Sequence, residues 1–498
     1  MPGITALLAL ALWLGMPCPS GAGELAAPFR ALRAEPALRG AQLGMEVVDL
    51  ATGRSLYASA AHQPLIPASN QKLLIAAAAL AAWGPAHRLE TTVWLDGPID
   101  ASGQLRGTLW IEGSGDAGLV SESLWKLAER LRVSGLRGVR GGLGVDPHWL
   151  DAQYFHPDWA PVSSRAYHAP IAAFAVNYSS FRIEVHPGPA LQAPARVEIA
   201  PAVDYLQVDS EARTSETPSR LQVDVEPLPS GSGDRVRVRG AIARGAEPRL
   251  FWRAVTQPGR YAASVLRSQL AAQGIHVAGP TRFGRVPASA REWLRFKGPP
   301  LSTLVRRMAK YSNNFIAEQL TKRLGAELYG PPGSWQKGRR ALVSFLESEY
   351  PEGHEWVVRD GSGLSARDRL SAHTLVQLLR RVSESFRFGP EFLTSLPIFG
   401  RDGTLEERLD GQALPVRAKT GHIRRVATLS GYLSTRDGRR LAFSLLINGA
   451  RAPAEDVDAA VDRWLVRLTD LGMGLAAPAG APSLPGAGAP PRGQLGSR

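Results

Sequence analysis

The sequence predicts a mixed α/β (α+β) fold that is interrupted by a β-rich insertion. Helix-forming and strand-forming segments occur together near both ends of the 498-residue chain, whereas residues 86–295 read as short alternating strands separated by Gly, Pro and Ser turns. A chain of this length is too long for one domain. We therefore expect residues 23–85 and 296–474 to form one discontinuous unit around an inserted region of two domains.

The N-terminal segment predicts a signal peptide over residues 1–22. The apolar run Ile4–Met16 is too short to span a bilayer, and the small residues Ser-Gly-Ala follow it at positions 20–22. Export to the periplasm is the expected consequence, with a retained membrane anchor as the alternative. Cys18 is the only cysteine, so the mature protein would lack thiol nucleophiles, cysteine metal sites and disulfides.

The first elements of the mature chain are a hairpin and an apolar helix. Alternating apolar residues flank a turn within residues 41–57. Strong helix formers then follow Ser69 as far as Trp83, and Gly84-Pro85 ends the run. Because this helix is apolar on every side, it must lie in the core.

The C-terminal part predicts helices, strands and a last helix in that order. Apolar residues at helical spacing begin at Pro300, and a second helix begins near Asn314. Three strands and an amphipathic helix around Trp464 complete the unit. The predicted strands are Val416–Thr420, Thr428–Ser434 and Leu441–Ile447. Residues 475–498, rich in Ala, Pro and Gly, are predicted to be a disordered tail.

Composition and motif spacing argue against nucleic-acid, metal and cofactor binding. The net charge of +13 would suit an anionic partner, but basic residues are not grouped with aromatic ones as in a nucleic-acid groove. The ten histidines show no ligand spacing for a metal. Residues 113–118 match a dinucleotide fingerprint in spacing, but no βαβ unit surrounds them. We expect neither a metal nor a cofactor.

The first candidate site is the segment 69–72, Ser-Asn-Gln-Lys, at the start of the apolar helix. Residues three apart share a helix face, so the Ser69 hydroxyl and the Lys72 amine would be neighbours. A serine is a good nucleophile only when a base takes its proton, and burial lowers the pKa of a lysine toward that role. Taken alone, the pattern is also typical of an N-cap serine and a snorkelling lysine.

Two further motifs could complete such a site. The segment 312–314, Ser-Asn-Asn, lies between two predicted helices, where a hydroxyl and an amide can project, although both residue types also cap helices. The segment 419–421, Lys-Thr-Gly, lies on a predicted strand. There an ammonium and a hydroxyl could hold a carboxylate while glycine leaves room for the ligand, the alternative being an ordinary edge strand.

The conjunction of these motifs argues against coincidence. The chain contains seven lysines and five asparagines, and the three motifs use two of the lysines and three of the asparagines. In this order they resemble the penicillin-binding proteins and serine β-lactamases, whose sites combine Ser-x-x-Lys, Ser-x-Asn and Lys-Thr-Gly. About 240 residues separate Ser69 from Ser312, which is more than a compact β-lactamase core needs.

This spacing is similar to that of one subgroup, the D-Ala-D-Ala carboxypeptidase/endopeptidase family of the penicillin-binding protein 4 type (class C, peptidase family S13). The stretches 113–116, 360–365 and 402–404 agree with it. The resemblance implies a penicillin-binding-protein/β-lactamase-like transpeptidase fold, with domains inserted after the nucleophile helix. It also implies peptidoglycan stem peptides as substrates and β-lactam antibiotics as acylating ligands, and it leaves a homodimer open.

The resemblance implies catalytic roles for four residues. Ser69 would attack the carbonyl between two D-alanines, Lys72 would accept its proton, and an acyl-enzyme would form. Ser312 and Asn314 would relay a proton to the leaving amine and hold the substrate amide. The family more often has Asp where this chain has Asn313, at a side chain that usually points away from the substrate.

Substrate binding is implied for the strand motif. Lys419 and Thr420 would bind the terminal carboxylate, and Gly421 would leave room for the ligand. The backbone N–H groups of Ser69 and His422 would form the oxyanion hole. Some members carry an acidic residue that reads the amino end of the stem peptide, and residues 162–169 contain no matching Asp.

Two other functions remain open at this point. A serine β-lactamase would need a base that activates the deacylating water, and no Glu-x-x-Leu-Asn segment supplies it. A catalytically silent protein that binds peptidoglycan could keep the fold, but intact motifs argue against it.

Overall fold

The computed structural model describes residues 22–350 and 356–471. The predicted signal peptide, apart from Ala22, and the predicted disordered tail lie outside these residues. Within the described ranges, every helix is too short or too polar to span a lipid bilayer.

The described ranges contain ten α-helices and twenty strands. The helices are α1 (Ala22–Ala34), α2 (Gln71–Trp83), α3 (Ser121–Val133), α4 (Pro258–Ala272), α5 (Leu301–Lys310), α6 (Asn314–Tyr329), α7 (Trp335–Glu349), α8 (Ala372–Glu384), α9 (Gly389–Ser395) and α10 (Ala454–Thr469). The first ten strands are β1 (Gln42–Asp49), β2 (Ser55–Ser59), β3 (Arg88–Asp96), β4 (Gln104–Leu105), β5 (Thr108–Glu112), β6 (Gly138–Val139), β7 (Leu143–Asp146), β8 (Ser180–His186), β9 (Arg196–Ala200) and β10 (Leu206–Ser210). The others are β11 (Arg213–Ser215), β12 (Arg220–Pro227), β13 (Asp234–Ala243), β14 (Arg249–Ala254), β15 (His276–Val277), β16 (Thr281–Phe283), β17 (Arg291–Pro300), β18 (Val416–Ile423), β19 (Val426–Ser434) and β20 (Arg440–Asn448).

One antiparallel sheet joins the two ends of the chain. Its five strands run in the order β18-β19-β20-β1-β2. Strand β20 pairs with β1 along its length, from Gln42 opposite Asn448 to Asp49 opposite Leu441. The predicted hairpin is confirmed as β1 and β2. The sheet is complete only when segments from both ends of the sequence meet.

Helices cover both faces of this sheet. On one face α1 and α10 pack against it, and the Trp464 ring makes edge contacts with Phe29 and Phe443. On the other face lie α2 and α8, which share a second core with strand residues such as Leu446. The prediction that α2 is buried is confirmed, since all its residues from Gln71 to Leu80 are buried.

The region between α2 and α5 contains further sheets. A mixed five-stranded sheet runs β16-β7-β5-β3-β17, and three smaller sheets accompany it. Helices α3 and α4 share a core with these strands, and neither helix was predicted from the sequence. Strand β17 pairs with β3 and runs past residue 295, so this region is tied to the start of α5 by continuous strand structure.

Candidate active site

The Ser69 hydroxyl lies in a short 3-10 turn, Ala68–Asn70, which leads directly into α2. Ala68 adopts the left-handed conformation, with a φ of 45°. A residue with a side chain adopts this conformation only when its surroundings stabilise it, and such positions cluster at functional sites. Ser69 itself is half-buried, so its hydroxyl remains accessible while the turn around it is fixed.

Two hydrogen bonds fix the turn of Ser69 against the sheet. Thr428 Oγ1, on β19, donates to the Pro67 carbonyl at 2.9 Å. The buried Asn70 amide, with its nitrogen directed at β18, donates to the Lys419 carbonyl at 2.6 Å. The turn that carries Ser69 is therefore bonded directly to the strand that carries the Lys-Thr-Gly motif and to its neighbour β19.

The Lys72 amine has three partners at hydrogen-bonding distance. Its Nζ lies 2.9 Å from Ser69 Oγ, 2.7 Å from Asn314 Oδ1 and 2.7 Å from the Ser362 carbonyl oxygen. The carbonyl of Ser362 and the Asn314 oxygen can only accept. A neutral amine has two N–H bonds, and when these two oxygens take them, its lone pair faces the Ser69 hydroxyl.

Burial favours the neutral form of this amine. Only 1% of Lys72 is exposed, and the loss of hydration lowers its pKa to about 7, although the nearby carboxylates of Asp360 and Glu318 oppose the shift. A lysine with this pKa is partly neutral at neutral pH, so it can accept a proton from serine.

The Ser-Asn-Asn motif links the two lysines of the site. It lies between α5 and α6, and Ser312 adopts the left-handed conformation with a φ of 53°. Ser312 Oγ accepts from Lys419 Nζ at 3.0 Å. Asn314 accepts from Lys72 and donates through Nδ2 to the Tyr167 carbonyl at 3.0 Å, so a loop of the inserted region borders the site.

The middle residue of this motif has a different task. Asn313 is the N-cap of α6, and its side chain accepts from the Ile316 N–H at 3.0 Å. Asn and Asp are about equally good in this position. The departure from the family pattern at Asn313 therefore changes a helix cap and leaves the contacts of the two neighbouring residues in place.

Lys419 is fully buried, although β18 is the edge strand of the sheet. Its Nζ donates to Ser312 Oγ and, at 2.7 Å, to the Thr420 carbonyl, while Thr420 Oγ1 donates to Thr404 Oγ1 at 2.8 Å. Burial and then the positive charge of Lys72 lower the pKa of Lys419 well below its usual value. An incoming carboxylate would restore the charge of this amine.

Glycine at position 421 keeps the space beside the turn of Ser69 free. A Cβ atom at Gly421 would stand 2.8 Å from the Ser69 backbone nitrogen, which is too close for any side chain. At the next residue, His422 Nε2 lies 3.0 Å from Asp458 Oδ1 on α10. The imidazole of His422 is therefore paired with α10.

Three site residues were not assigned roles from the sequence. Glu318 is fully buried on α6, one turn after Asn314. Asp360 and Ser362 lie in a loop whose glycine-rich sequence resembles the family, but Ser362 contacts Lys72 through its backbone. A backbone acceptor leaves no signature in side-chain identity, and a lone glutamate on a helix normally indicates a solvated face.

Comparison with known proteins identifies similar chains. The profile of the D-Ala-D-Ala carboxypeptidase 3 (S13) family matches residues 25–468. A D-alanyl-D-alanine carboxypeptidase of Actinomadura sp. (strain R39) is 34% identical over 92% of this chain and 86% of its own. The D-alanyl-D-alanine carboxypeptidase DacB of Haemophilus influenzae is 27% identical over 77% of this chain and 81% of its own.

A solved structure has the same fold. The crystal structure of penicillin-binding protein 4 (dacB) from Haemophilus influenzae superposes with a TM-score of 0.75, at 24% sequence identity, and covers 88% of this chain and 99% of that one. The predicted transpeptidase-like fold class is confirmed by this likeness.

Proposed function

Because the chain belongs to the D-Ala-D-Ala carboxypeptidase 3 (S13) family, we propose that Ser69, Lys72, Ser312 and Asn314 are its catalytic residues. The family makes the protein a serine-type D-Ala-D-Ala carboxypeptidase of the penicillin-binding kind, with peptidoglycan peptides as substrates and β-lactams as ligands. The observation that carries the residue assignment is the Lys72 amine, held by two acceptors so that its lone pair faces Ser69 Oγ.

The first step forms an acyl-enzyme. Lys72 Nζ takes the Ser69 proton while Oγ bonds to the carbonyl carbon between the two D-alanines. The backbone N–H groups of Ser69 and His422 stabilise the negative oxygen that develops. When the C–N bond breaks, the proton passes from Lys72 through the Ser312 hydroxyl to the leaving amine, and water later hydrolyses the ester. An endopeptidase reaction differs only in the amine that leaves.

The strand motif selects the substrate end. The terminal carboxylate of the leaving D-alanine lies against Lys419 and Thr420, where the ammonium and hydroxyl match its charge and its acceptors. The carboxylate that β-lactams carry occupies the same place. Gly421 supports this role because a side chain there would enter the space beside Ser69.

A labelling experiment tests the nucleophile. We expect a radiolabelled penicillin to form a long-lived adduct that peptide mapping places on Ser69, and the wild type to release D-alanine from a pentapeptide. Ser69→Ala should lose both reactions and keep its thermal unfolding midpoint. Rapid turnover of the penicillin would favour a β-lactamase, and binding to peptidoglycan without D-alanine release from either protein would favour a silent binding protein.

We also propose export and a domain division. Relatives of the chain are bacterial cell-wall enzymes, which supports removal of residues 1–22 as a signal peptide and a periplasmic location. Mass spectrometry of the mature N-terminus checks the cleavage. The catalytic unit would comprise residues 23–85 and 296–474, with residues 86–295 as the inserted region, and β17 would cross this boundary because it pairs with β3 as far as Pro300. A homodimer stays a prediction for light scattering to decide.

A further inference from the structure

A cluster of buried acids lies beneath the amine of Lys72. Glu318 on α6, together with Asp360 and Asp368 in the loop before α8, are each at most 1% exposed. The proposed reaction uses none of them. Buried carboxylates are costly unless they are paired with donors, so each of them requires a structural or functional reason.

Glu318 accepts hydrogen bonds from three donors. Its Oε1 accepts from the N–H groups of Ser362 at 2.7 Å and of Gly361 at 3.1 Å, and its Oε2 accepts from Trp335 Nε1 at 2.8 Å. All its described partners are donors, which suits a carboxylate and not a carboxylic acid. Burial and the nearby Asp360 raise its pKa to about 7, so Glu318 is ionised above that pH.

The turn held by Glu318 is the one that receives Lys72. The carbonyl that accepts from Lys72 Nζ belongs to Ser362, whose own N–H is bound by Glu318. Asp360 supports the same turn from the other side, since it accepts from the Gly363 N–H at 2.6 Å and the Ser365 N–H at 2.8 Å. A shift of this turn would release one of the two N–H bonds that orient the Lys72 lone pair.

We infer that Glu318 is a positioning residue, which holds the Gly361-Ser362 turn so that the Ser362 carbonyl orients the Lys72 amine toward Ser69. This inference rests on the proposed role of Lys72 as the base. Glu318 acts in a second way, because its negative charge stabilises the protonated lysine. The titratable groups that surround Lys72 and Glu318 are Asp360, Asp368, Lys322 and Lys419.

Two substitutions of Glu318 should separate the effect of its hydrogen bonds to the turn from the effect of its negative charge on Lys72. In Glu318→Gln the amide nitrogen must face either the N–H groups of the turn or Trp335 Nε1, so one of these contacts becomes donor against donor and the support of the turn weakens. The negative charge is also lost. We expect the acylation rate constant for a fluorescent penicillin to fall by about 10- to 100-fold, and the midpoint of its pH profile to move to lower pH. Glu318→Asp keeps the charge, so its midpoint should stay near that of the wild type while its rate falls.

A second readout does not depend on activity. The chain has seven lysines, so the ¹³Cε signal of Lys72 can be assigned in ¹³C-lysine-labelled protein by comparison with Lys72→Arg. We expect it to titrate at lower pH in Glu318→Gln than in the wild type. Glu327→Gln is the matched control, because Glu327 lies on the same helix but is exposed and pairs with Arg323. In this variant Lys72 should titrate at the same pH as in the wild type.

The outcomes of these experiments distinguish the proposed function from the inferred role of Glu318. An unchanged Lys72 titration and an unchanged acylation rate in Glu318→Gln overturn the inference, as does a rate loss that leaves the Lys72 titration where it was. If the wild type is not acylated at Ser69 and yet Lys72 still titrates lower in Glu318→Gln, the proposed function is wrong while the coupling of Glu318 to Lys72 stands.

Discussion

In the proposed mechanism the chemistry depends on the amine of Lys72, and the protonation of this amine sets a pH dependence. The pKa of this lysine is lowered to about 7 by burial. Below that pH the amine carries a proton and cannot accept one from Ser69, so acylation slows about tenfold for each further pH unit. Above it the neutral amine predominates and the rate reaches a plateau.

We therefore predict that the rate constant for acylation by penicillin rises with pH and has its midpoint near 7. Stopped-flow measurement between pH 5 and 9, with the folded state checked at each pH, tests this. A profile with no inflection below pH 9 would show that Lys72 keeps the pKa of a solvated lysine and cannot be the base.

The motifs in the sequence identified the side chains of the proposed site. Ser69, Lys72 and Lys419 stand in short motifs that contain the rare residues Lys and Asn, and the structure brings them together. The sequence could not indicate Ser362, which contacts Lys72 through a carbonyl, or Glu318, whose burial depends on packing by α7 and the loop before α8. These contacts arise from tertiary structure and leave no local pattern.

At the scale of elements, the N-terminus of α6 places Asn314 in the site, and the side chain of Asn313 caps this helix. Loss of an N-cap side chain costs about 1 kcal/mol, whereas Asn and Asp are nearly equivalent there. We predict a lower thermal unfolding midpoint and slower acylation for Asn313→Ala, and wild-type values for Asn313→Asp. Calorimetry and penicillin labelling measure the two effects. Slow acylation in Asn313→Asp would instead indicate that this residue contacts the substrate.

The elements differed in how far the sequence predicted them. Helix α2 was predicted because an alanine- and leucine-rich run ends at Gly84, whose φ of 77° suits the residue after a helix. Helices α3 and α4 were missed, although Leu124, Leu127 and Leu131 recur on one face of α3. They occur among short strands and turns, which favoured a β-only interpretation of the whole region.

At the scale of the whole molecule, Asp116 lies where the inserted strands meet the segment before α5, with Gly298 packed against its carboxyl group. Burial raises the pKa of Asp116 to about 7, although the Gly118 N–H opposes the shift. Its ordinary value is 3.8. Between these values the folded protein retains a proton that the unfolded chain has lost, so this group's contribution to stability falls as the pH rises.

We predict that Asp116→Asn removes this dependence. In the wild type, the contribution of Asp116 to the free energy of unfolding falls by about 1.4 kcal/mol per pH unit between about pH 4 and pH 7. The unfolding midpoint of the variant, relative to the wild type, should therefore rise across that window and become constant above it. If the unfolding midpoints of the variant and the wild type differ by the same amount at pH 4 and pH 8, Asp116 is ionised in the folded protein throughout this range.

The pairing of β1 with β20 has a consequence for the order in which the chain folds. Strand β1 ends at Asp49 and β20 begins only at Arg440, so β1 must wait for its partner until the long segment between them has been made. Strands β18 and β19, which hold the turn of Ser69, are joined to β1 only through β20, so the central sheet cannot close before β20 is available. If the chain is exported as proposed, the sheet beside Ser69 is completed only after the C-terminal strands have also crossed the membrane.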